Sequence, residues 1–368
     1  MYSIQKFHRL IVEGFTKNSH NVIALSTIPV STISHSQKIW FLNSETINNK
    51  LKYVYIPFIN IVLLRHLFLI VYSFFYTLIW GVKKKNKRVI CDVLNISSCL
   101  GSLLASRLLK VKVAGIVTDM PGLMVNMPSQ KIIYRFISWV NKSYICNFDY
   151  YIFLTEQMNE VINIKKKPYI VMEGLVDANI CPKKKHFVTE SVRNIIYAGG
   201  LYEQYGVKML LDAFIRLPFR DIQLSIYGGG PMEIYISEYE KKDDRIHYYG
   251  VVPNDQIVEE ELKATLLVNP RPTNEEFTQY SFPSKNMEYM ASGTPLLTTN
   301  LPGMPSEYIK YVYLFDGETV DAYERSLYEV LSMPIEELIK KGEQAQLFVL
   351  RNKNNVMQAN KILYLIGQ

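Results

Sequence analysis

Short apolar runs alternate with amphipathic stretches along this chain, and the cycle occurs twice. Before residue 180, strand-like runs fall at 21–25, 52–56, 88–93, 112–117, 149–153 and 168–172. Helical periodicity separates most of them, at 8–14, 59–80, 100–109, 131–146 and 155–162. After a basic segment at 181–186 the cycle restarts, with strands at 194–198, 223–227, 245–249, 265–269, 295–299 and 311–315. Helices at 207–217, 231–241 and 255–263 lie between these, and a last helix runs over 354–366. Short buried strands alternating with helices predict parallel, doubly wound α/β sheets. Two such series predict two Rossmann-like domains, at 1–180 and 190–350. The C-terminal stretch 351–368 is expected to pack back on the first. With 368 residues and roughly 150 per domain, length points to two as well.

Composition changes this picture little: 48% of residues are hydrophobic, 20% are charged, and the net charge is +7. Lysines cluster at Lys83–Lys85, Lys165–Lys167 and Lys183–Lys185, which reads as solvated surface or attraction to an anionic membrane. No nucleic-acid recognition motif accompanies them, so a nucleic-acid partner is not expected. Residues 67–82 carry no charge and sit between Arg65-His66 and the lysines. Spanning a bilayer takes about 20 apolar residues, so a core or interfacial helix is expected. Trp80 and the lysine flank suit monotopic contact. Cys91, Cys99, Cys146 and Cys181 form no C-x-x-C pair, which fits reduced thiols of a cytoplasmic protein. Residues 1–14 are polar and helix-like, unlike a signal peptide.

The densest chemistry lies in Ser281-Phe-Pro-Ser-Lys-Asn-Met-Glu-Tyr-Met-Ala-Ser-Gly293. Pro283 suits a first helical turn, Gly293 suits a stop, and Pro295–Thr299 reads as the next buried strand. Lys285 and Glu288, three apart, share a face. A helix N-terminus attracts anions, Lys285 adds positive charge, and Glu288 accepts from hydroxyls, a combination that fits phosphate beside a diol. Gly199-Gly200 and Gly228-Gly229-Gly230 each follow a strand, where open parallel sheets bind ligands. Neither matches G-x-G-x-x-G.

Tyr197-Ala-Gly-Gly200, Tyr227-Gly-Gly-Gly-Pro231, Tyr249-Gly250-Val251, Phe282–Gly293 and Leu301-Pro-Gly-Met-Pro-Ser-Glu307 together resemble the retaining glycosyltransferases of family 4, over about residues 190–320. The Phe-Pro-Ser-Lys version is similar to enzymes of bacterial capsule, exopolysaccharide and O-antigen assembly. The resemblance implies the GT-B fold of two facing Rossmann-like domains and a nucleotide-diphosphate sugar as donor. The acceptor would be a growing surface glycan or its lipid-linked precursor. Glu288 would bind the donor ribose and Lys285 would neutralise the leaving diphosphate. Backbone N–H groups at Gly199-Gly200 would cradle phosphate, Gly250 and Val251 would lie against the base, and Gly228, Arg271, Tyr280 and Ser284 would complete the donor site. Neither a cofactor nor a metal is implied, the basic side chains and helix dipole stabilising developing charge.

Several positions depart from the family's pattern. Eight residues before Glu288 stands Tyr280, where the family often has glutamate, so Glu276 becomes the carboxylate candidate toward the donor sugar. Where the family often has Arg and Lys, Gly200 and Tyr205 stand, which leaves Lys285 helped by Arg271. On the acceptor side Asp119 is the best polar candidate, ahead of Asp92 and Glu173. His247 reads as a core or edge imidazole. The first domain begins on a helix where a strand and glycine-rich loop are expected, as if lacking its first strand. Two alternatives stay open: a catalytically impaired or truncated GT-B partner protein, and a GT-B sugar-nucleotide epimerase.

Overall fold

The computed structural model describes residues 3–28, 39–42, 44–48, 50–120, 144–180 and 192–367. The helix expected at 131–146 lies outside these apart from residues 144–146, as do Cys181 and Lys183–Lys185. The chain divides into two units, Met1–Glu173 with Asn355–Gln368, and Gly174–Asn354.

The first unit opens on helix α1 (Ser3–Lys17), followed by strands β1 (Val22–Ser26), β2 (Trp40–Phe41), β3 (Ser44–Asn48), β4 (Leu51–Tyr55) and β5 (Phe58–Ile59). Then come α2 (Val62–Val82), β6 (Val89–Asp92), α3 (Ile96–Leu108), β7 (Val113–Val117), β8 (Tyr150–Phe153), α4 (Glu156–Ile162) and β9 (Tyr169–Val171). Strands β6 to β9 form a parallel sheet in sequence order, with Asp92 opposite Ile116 and Val117 opposite Phe153. One doubly wound sheet was expected from the alternating pattern, and here the structure differs. The strands β1, β4 and β3 form their own sheet, with β3 antiparallel to β4, and β2 pairs with β5. The β3 segment is polar, which hides an edge strand from a search for buried runs.

Helix α2 spans 21 residues, close to the helix expected over 59–80. It packs on α3 by close approach at Gly101, where a Cβ would stand 2.2 Å from the Ile70 carbonyl oxygen and 2.3 Å from Ser73 Oγ. Gly101→Ala is therefore expected to push the helices apart at a cost of about 1–3 kcal/mol, the usual penalty of overpacking. Thermal melting checks this, and an unchanged Tm would contradict it.

The second unit contains β10 (Arg193–Ala198), α5 (Val207–Phe214), β11 (Ile222–Tyr227), α6 (Glu233–Lys242), β12 (Ile246–Gly250), α7 (Asn254–Lys263) and β13 (Leu266–Asn269). It continues through α8 (Ser284–Ser292), β14 (Leu296–Thr298), β15 (Tyr313–Leu314), α9 (Val320–Leu331) and α10 (Ile335–Asn352). All six strands are parallel, in the order β12-β11-β10-β13-β14-β15. Numbered within the unit this is 3-2-1-4-5-6, the order of a dinucleotide-type Rossmann sheet, whose ligands bind beyond the carboxyl ends where the order reverses. The reversal falls between β10 and β13. Both faces of the sheet are covered, since Ile195 and Tyr197 of β10 pack into one apolar cluster and Ile196 and Ala198 into another. That explains why the central strands β10, β13 and β14 read as largely apolar runs.

The last helix, α11 (Asn355–Gly367), belongs to the first unit. Asn355 Nδ2 donates to the Leu10 carbonyl at 3.1 Å, and Asn18 Nδ2 donates to that of Val356 at 2.9 Å. These bonds tie α11 to α1.

Candidate functional site

Helix α8 begins at the carboxyl ends of β13 and β14. Pro283 occupies the N-cap, one residue before the first turn where its ring was expected, with φ −64° and ψ 116°. Gly293 closes the helix at φ 79°, as its placement after the apolar run implied. The first turn is pinned by a ladder of neutral amides and a hydroxyl. Asn269 Nδ2 donates to Asn286 Oδ1 at 2.6 Å, Asn286 Nδ2 donates to Thr298 Oγ1 at 3.3 Å, and Thr298 Oγ1 donates to the Asn269 carbonyl at 3.1 Å.

The end of β10 is held to the same helix. The Ala198 N–H donates to Tyr289 Oη at 2.9 Å, and that hydroxyl donates to the Ala198 carbonyl at 3.1 Å. Tyr289 is fully buried, and burial raises its phenol well above the ordinary value, so it stays a neutral donor and acceptor. One side chain therefore fixes the spacing between Gly199-Gly200 and the N-terminal turn of α8. Tyr289→Phe leaves two buried backbone groups short of a partner. It is expected to cost about 1–3 kcal/mol and to lower nucleotide affinity without removing any ligand contact. Melting curves and a nucleotide titration on the same variant check both effects.

Lys285 and Glu288 share a face as their spacing implied, with Nζ 3.2 Å from Glu288 Oε2. The structure adds a carboxylate that the sequence did not flag. Glu261 of α7 is 2% exposed and brings Oε1 to 3.9 Å from Lys285 Nζ. Lys285 is thus aimed by two carboxylates from two helices.

Three glycine loops meet across the neighbouring strand ends. The Gly199 N–H donates to the Tyr227 carbonyl at 3.0 Å, the Leu201 N–H to that of Gly229 at 3.0 Å, and the Gly228 N–H to that of Gly250 at 2.8 Å. This corrects one expectation: the Gly199 N–H is committed to the protein and does not cradle phosphate. Gly200 is the member of the pair whose N–H the stitching leaves out. Gly228 sits at φ 131°, and a Cβ there would stand 1.8 Å from the Gly199 carbonyl oxygen. Beside this loop Val251 is 80% exposed, while Tyr249 stacks on Tyr227 with ring centroids 4.9 Å apart.

Arg271, two residues beyond β13, lies over Tyr205 at 4.7 Å and over Phe277 at 5.1 Å. Its Nη1 donates to Ser281 Oγ at 3.4 Å. Tyr205 in turn flanks Gly200, whose Cβ position is 3.1 Å from the Tyr205 ring. Burial raises the Tyr197 phenol and Arg271 pulls it part of the way back, while its hydroxyl donates to the Gly200 carbonyl at 2.7 Å. The structure therefore brings a guanidinium to the Gly200 loop, on the side where the usual cations are replaced. Two rings hold it there through cation–π contacts, which local sequence pattern does not reveal.

Glu276 is exposed at the start of a 3-10 turn, Glu276–Tyr280. Tyr280 closes that turn, half-buried, one residue before Ser281. Ser284 is the exposed first residue of α8. In the first unit, Asp119 is half-buried two residues past β7. Asp92 ends β6 with Oδ2 3.3 Å from His8 Nε2, a pairing that sequence reasoning missed because α1 carries no motif. His247 is a half-buried residue of β12, with its ring 6.4 Å from that of Tyr249.

Residues 182–347, just under half of the chain, match the model of the family described as Glycosyl transferases group 1. Solved structures match over nearly the full length. The fold is that of the GT-B glycosyltransferases. Sucrose-phosphate synthase from Thermosynechococcus elongatus aligns with a TM-score of 0.69 at 14% identity, over 99% of this chain and 93% of that one. A trehalose-6-phosphate structure from E. coli, bound with UDP-2-fluoro glucose, aligns at 0.66 and 9% identity, over 98% and 96%. The lipopolysaccharide outer core galactosyltransferase WaaB in its apo form aligns at 0.56 and 19% identity, over 87% and 85%. No curated protein sequence matches the chain. The matched family segment contains every donor-side residue discussed above, from Tyr197 to Glu288.

Proposed function

We propose that this protein transfers a sugar, with retention, from a nucleotide-diphosphate sugar to a bacterial surface glycan or its lipid-linked precursor, in the cytoplasm. The observation that carries the proposal is the juxtaposition at the reversal point of the second sheet. There the N-terminal turn of α8 presents Lys285 and Glu288, and Tyr289 holds that turn beside Gly199-Gly200. In this reading the helix N-terminus, Lys285 and Arg271 receive the diphosphate, with Gly200 beside them, and Glu288 accepts from the ribose hydroxyls. Gly250 and the exposed Val251 lie against the base. The leaving diphosphate gains charge as the glycosidic bond breaks, so fixed cations there lower the barrier without a proton transfer. Asp119 and Glu276 are the carboxylates nearest in role to the acceptor hydroxyl and the donor sugar. No metal is required by this scheme.

Support comes from the family match over residues 182–347 and from proteins of the same fold, one bound with UDP-2-fluoro glucose and one a lipopolysaccharide galactosyltransferase. A thermal-shift panel of nucleoside-diphosphate sugars tests the donor half. The right donor is expected to raise stability by about 2.7 kcal/mol at a hundredfold excess over Kd. Incubating that donor with lipid-linked acceptors and weighing the products tests transfer. Conversion of the donor without an acceptor would instead indicate an epimerase.

A further inference from the structure

Helix α2 sends Leu69 into a buried apolar cluster with Phe41, Ile56 and Phe58, yet keeps a long apolar stripe outward. Its small and polar positions face inward: Ser73 and Thr77 are buried, with Thr77 Oγ1 donating to Ser102 Oγ at 3.1 Å and Ser73 Oγ donating to the Leu69 carbonyl at 2.6 Å. Gly81 lies against Leu109 and Gly101 against the Ile70 and Ser73 turn, so this side is the seam with α3. Its outward positions are Leu64, Leu67, Phe68, Val71, Phe75, Ile79 and Val82, between 39% and 70% exposed. Spacings of three and four place them in a single stripe along one face. At 1.5 Å per residue the stripe is roughly 27 Å long. On α3, Leu104 and Leu108 are exposed as well, at 48% and 67%. A surface helix ordinarily turns such a stripe to the core. A continuous exposed one marks an interaction surface.

The charge pattern selects the partner. No Asp or Glu occurs from Val62 to Cys91, and the C-terminal end of the stripe runs directly into exposed Lys83, Lys84 and Lys85. We propose that α2 lies flat in the interface of an anionic lipid bilayer, with its apolar stripe at the acyl-chain boundary and the three lysines on anionic headgroups. A second copy of this chain docking through the same stripe would bring no negative charge to those lysines. A spanning helix would have to leave α3, exposing Ser73, Thr77 and the Gly81 seam to hydrocarbon. Apolar burial plus lysine attraction is the combination that holds interfacial helices reversibly. The surface lies on the first unit and does not depend on turnover.

Flotation of the full chain with phosphatidylcholine vesicles, with and without phosphatidylglycerol, tests this. Binding is expected to the phosphatidylglycerol vesicles and to weaken with salt. Changing Lys83, Lys84 and Lys85 together to Gln should lower the partition coefficient roughly 100-fold, from about fivefold per lysine. Phe75→Ser with Ile79→Ser should abolish binding while helicity and Tm stay unchanged, because neither side chain is buried. Failure of the unaltered protein to float with anionic vesicles would overturn the proposal, as would binding that survives the Phe75 and Ile79 changes. A dimer in sedimentation that those two changes disperse, without vesicle binding, would instead assign the stripe to a second copy.

Discussion

Lys285→Ala is expected to lower kcat/KM for sugar transfer by on the order of 10²–10³-fold, the loss seen when one fixed group stabilising developing charge is removed. The reason is positional. Glu288 and Glu261 hold the ammonium 3.2 Å and 3.9 Å away, so it stands at the N-terminal turn of α8 before any ligand arrives. The substitution also takes a cation from buried Glu261, whose carboxylate then loses a compensating charge. Lost stability also lowers activity, so rates belong beside melting curves. Pairing Lys285→Ala with Glu261→Gln removes the buried charge. This double variant is expected to recover stability and leave turnover as low as in the single variant. Recovery of turnover would mean that Lys285 serves only the fold.

Gly228→Ala is expected to be the most damaging single-methyl change in the second unit. At φ 131° a side chain is strained, at a cost of about 1–3 kcal/mol, and the added carbon would lie 1.8 Å from the Gly199 carbonyl. That neighbour is backbone, so the clash is relieved only by displacing the end of β10, which adds about 1–3 kcal/mol. A total of about 2–6 kcal/mol corresponds, at the middle of that range, to a fall in Tm of roughly 10 °C for a unit of this size. Nucleotide binding should weaken beyond the stability loss, because Gly199-Gly200 is what moves. Gly250→Ala is the contrasting change. Gly250 has φ 68° with nothing within 4 Å of its Cβ position, so only the left-handed backbone penalty of about 1–2 kcal/mol applies. Equal effects at the two glycines would contradict this account of the loop.

Much of this was legible in the chain because it is local. The central strands of the second unit, β10, β13 and β14, are buried on both faces and appear as mainly apolar runs, so their positions could be read directly. The three-residue spacing of Lys285 and Glu288 sufficed to place both on one face, since a helix turn is a property of neighbours. What escaped depends on distance along the chain. Glu261 reaches Lys285 from another helix, and nothing in its own surroundings distinguishes it from a solvated carboxylate. Tyr289 sits inside the best motif, yet its bonds to Ala198 join residues 91 positions apart. Arg271 is held by the rings of Tyr205 and Phe277, contacts that its own place in the chain does not reveal. The Gly199 N–H shows the converse, a local expectation overruled by a neighbouring strand. In the first unit, β3 reads as a polar loop because an antiparallel edge strand needs no buried run.

The central claim is that α8 and the Gly200 loop form one donor site, and calorimetric titration of UDP and UDP sugars tests it most directly. The unaltered protein is expected to bind one nucleotide sugar saturably. Glu288→Gln should weaken that binding about 10- to 100-fold through loss of a charged hydrogen-bond acceptor. Lys285→Ala should weaken it for nucleoside diphosphates while leaving affinity for the bare nucleoside unchanged. Saturable binding that neither substitution alters, in folded protein, would contradict the account.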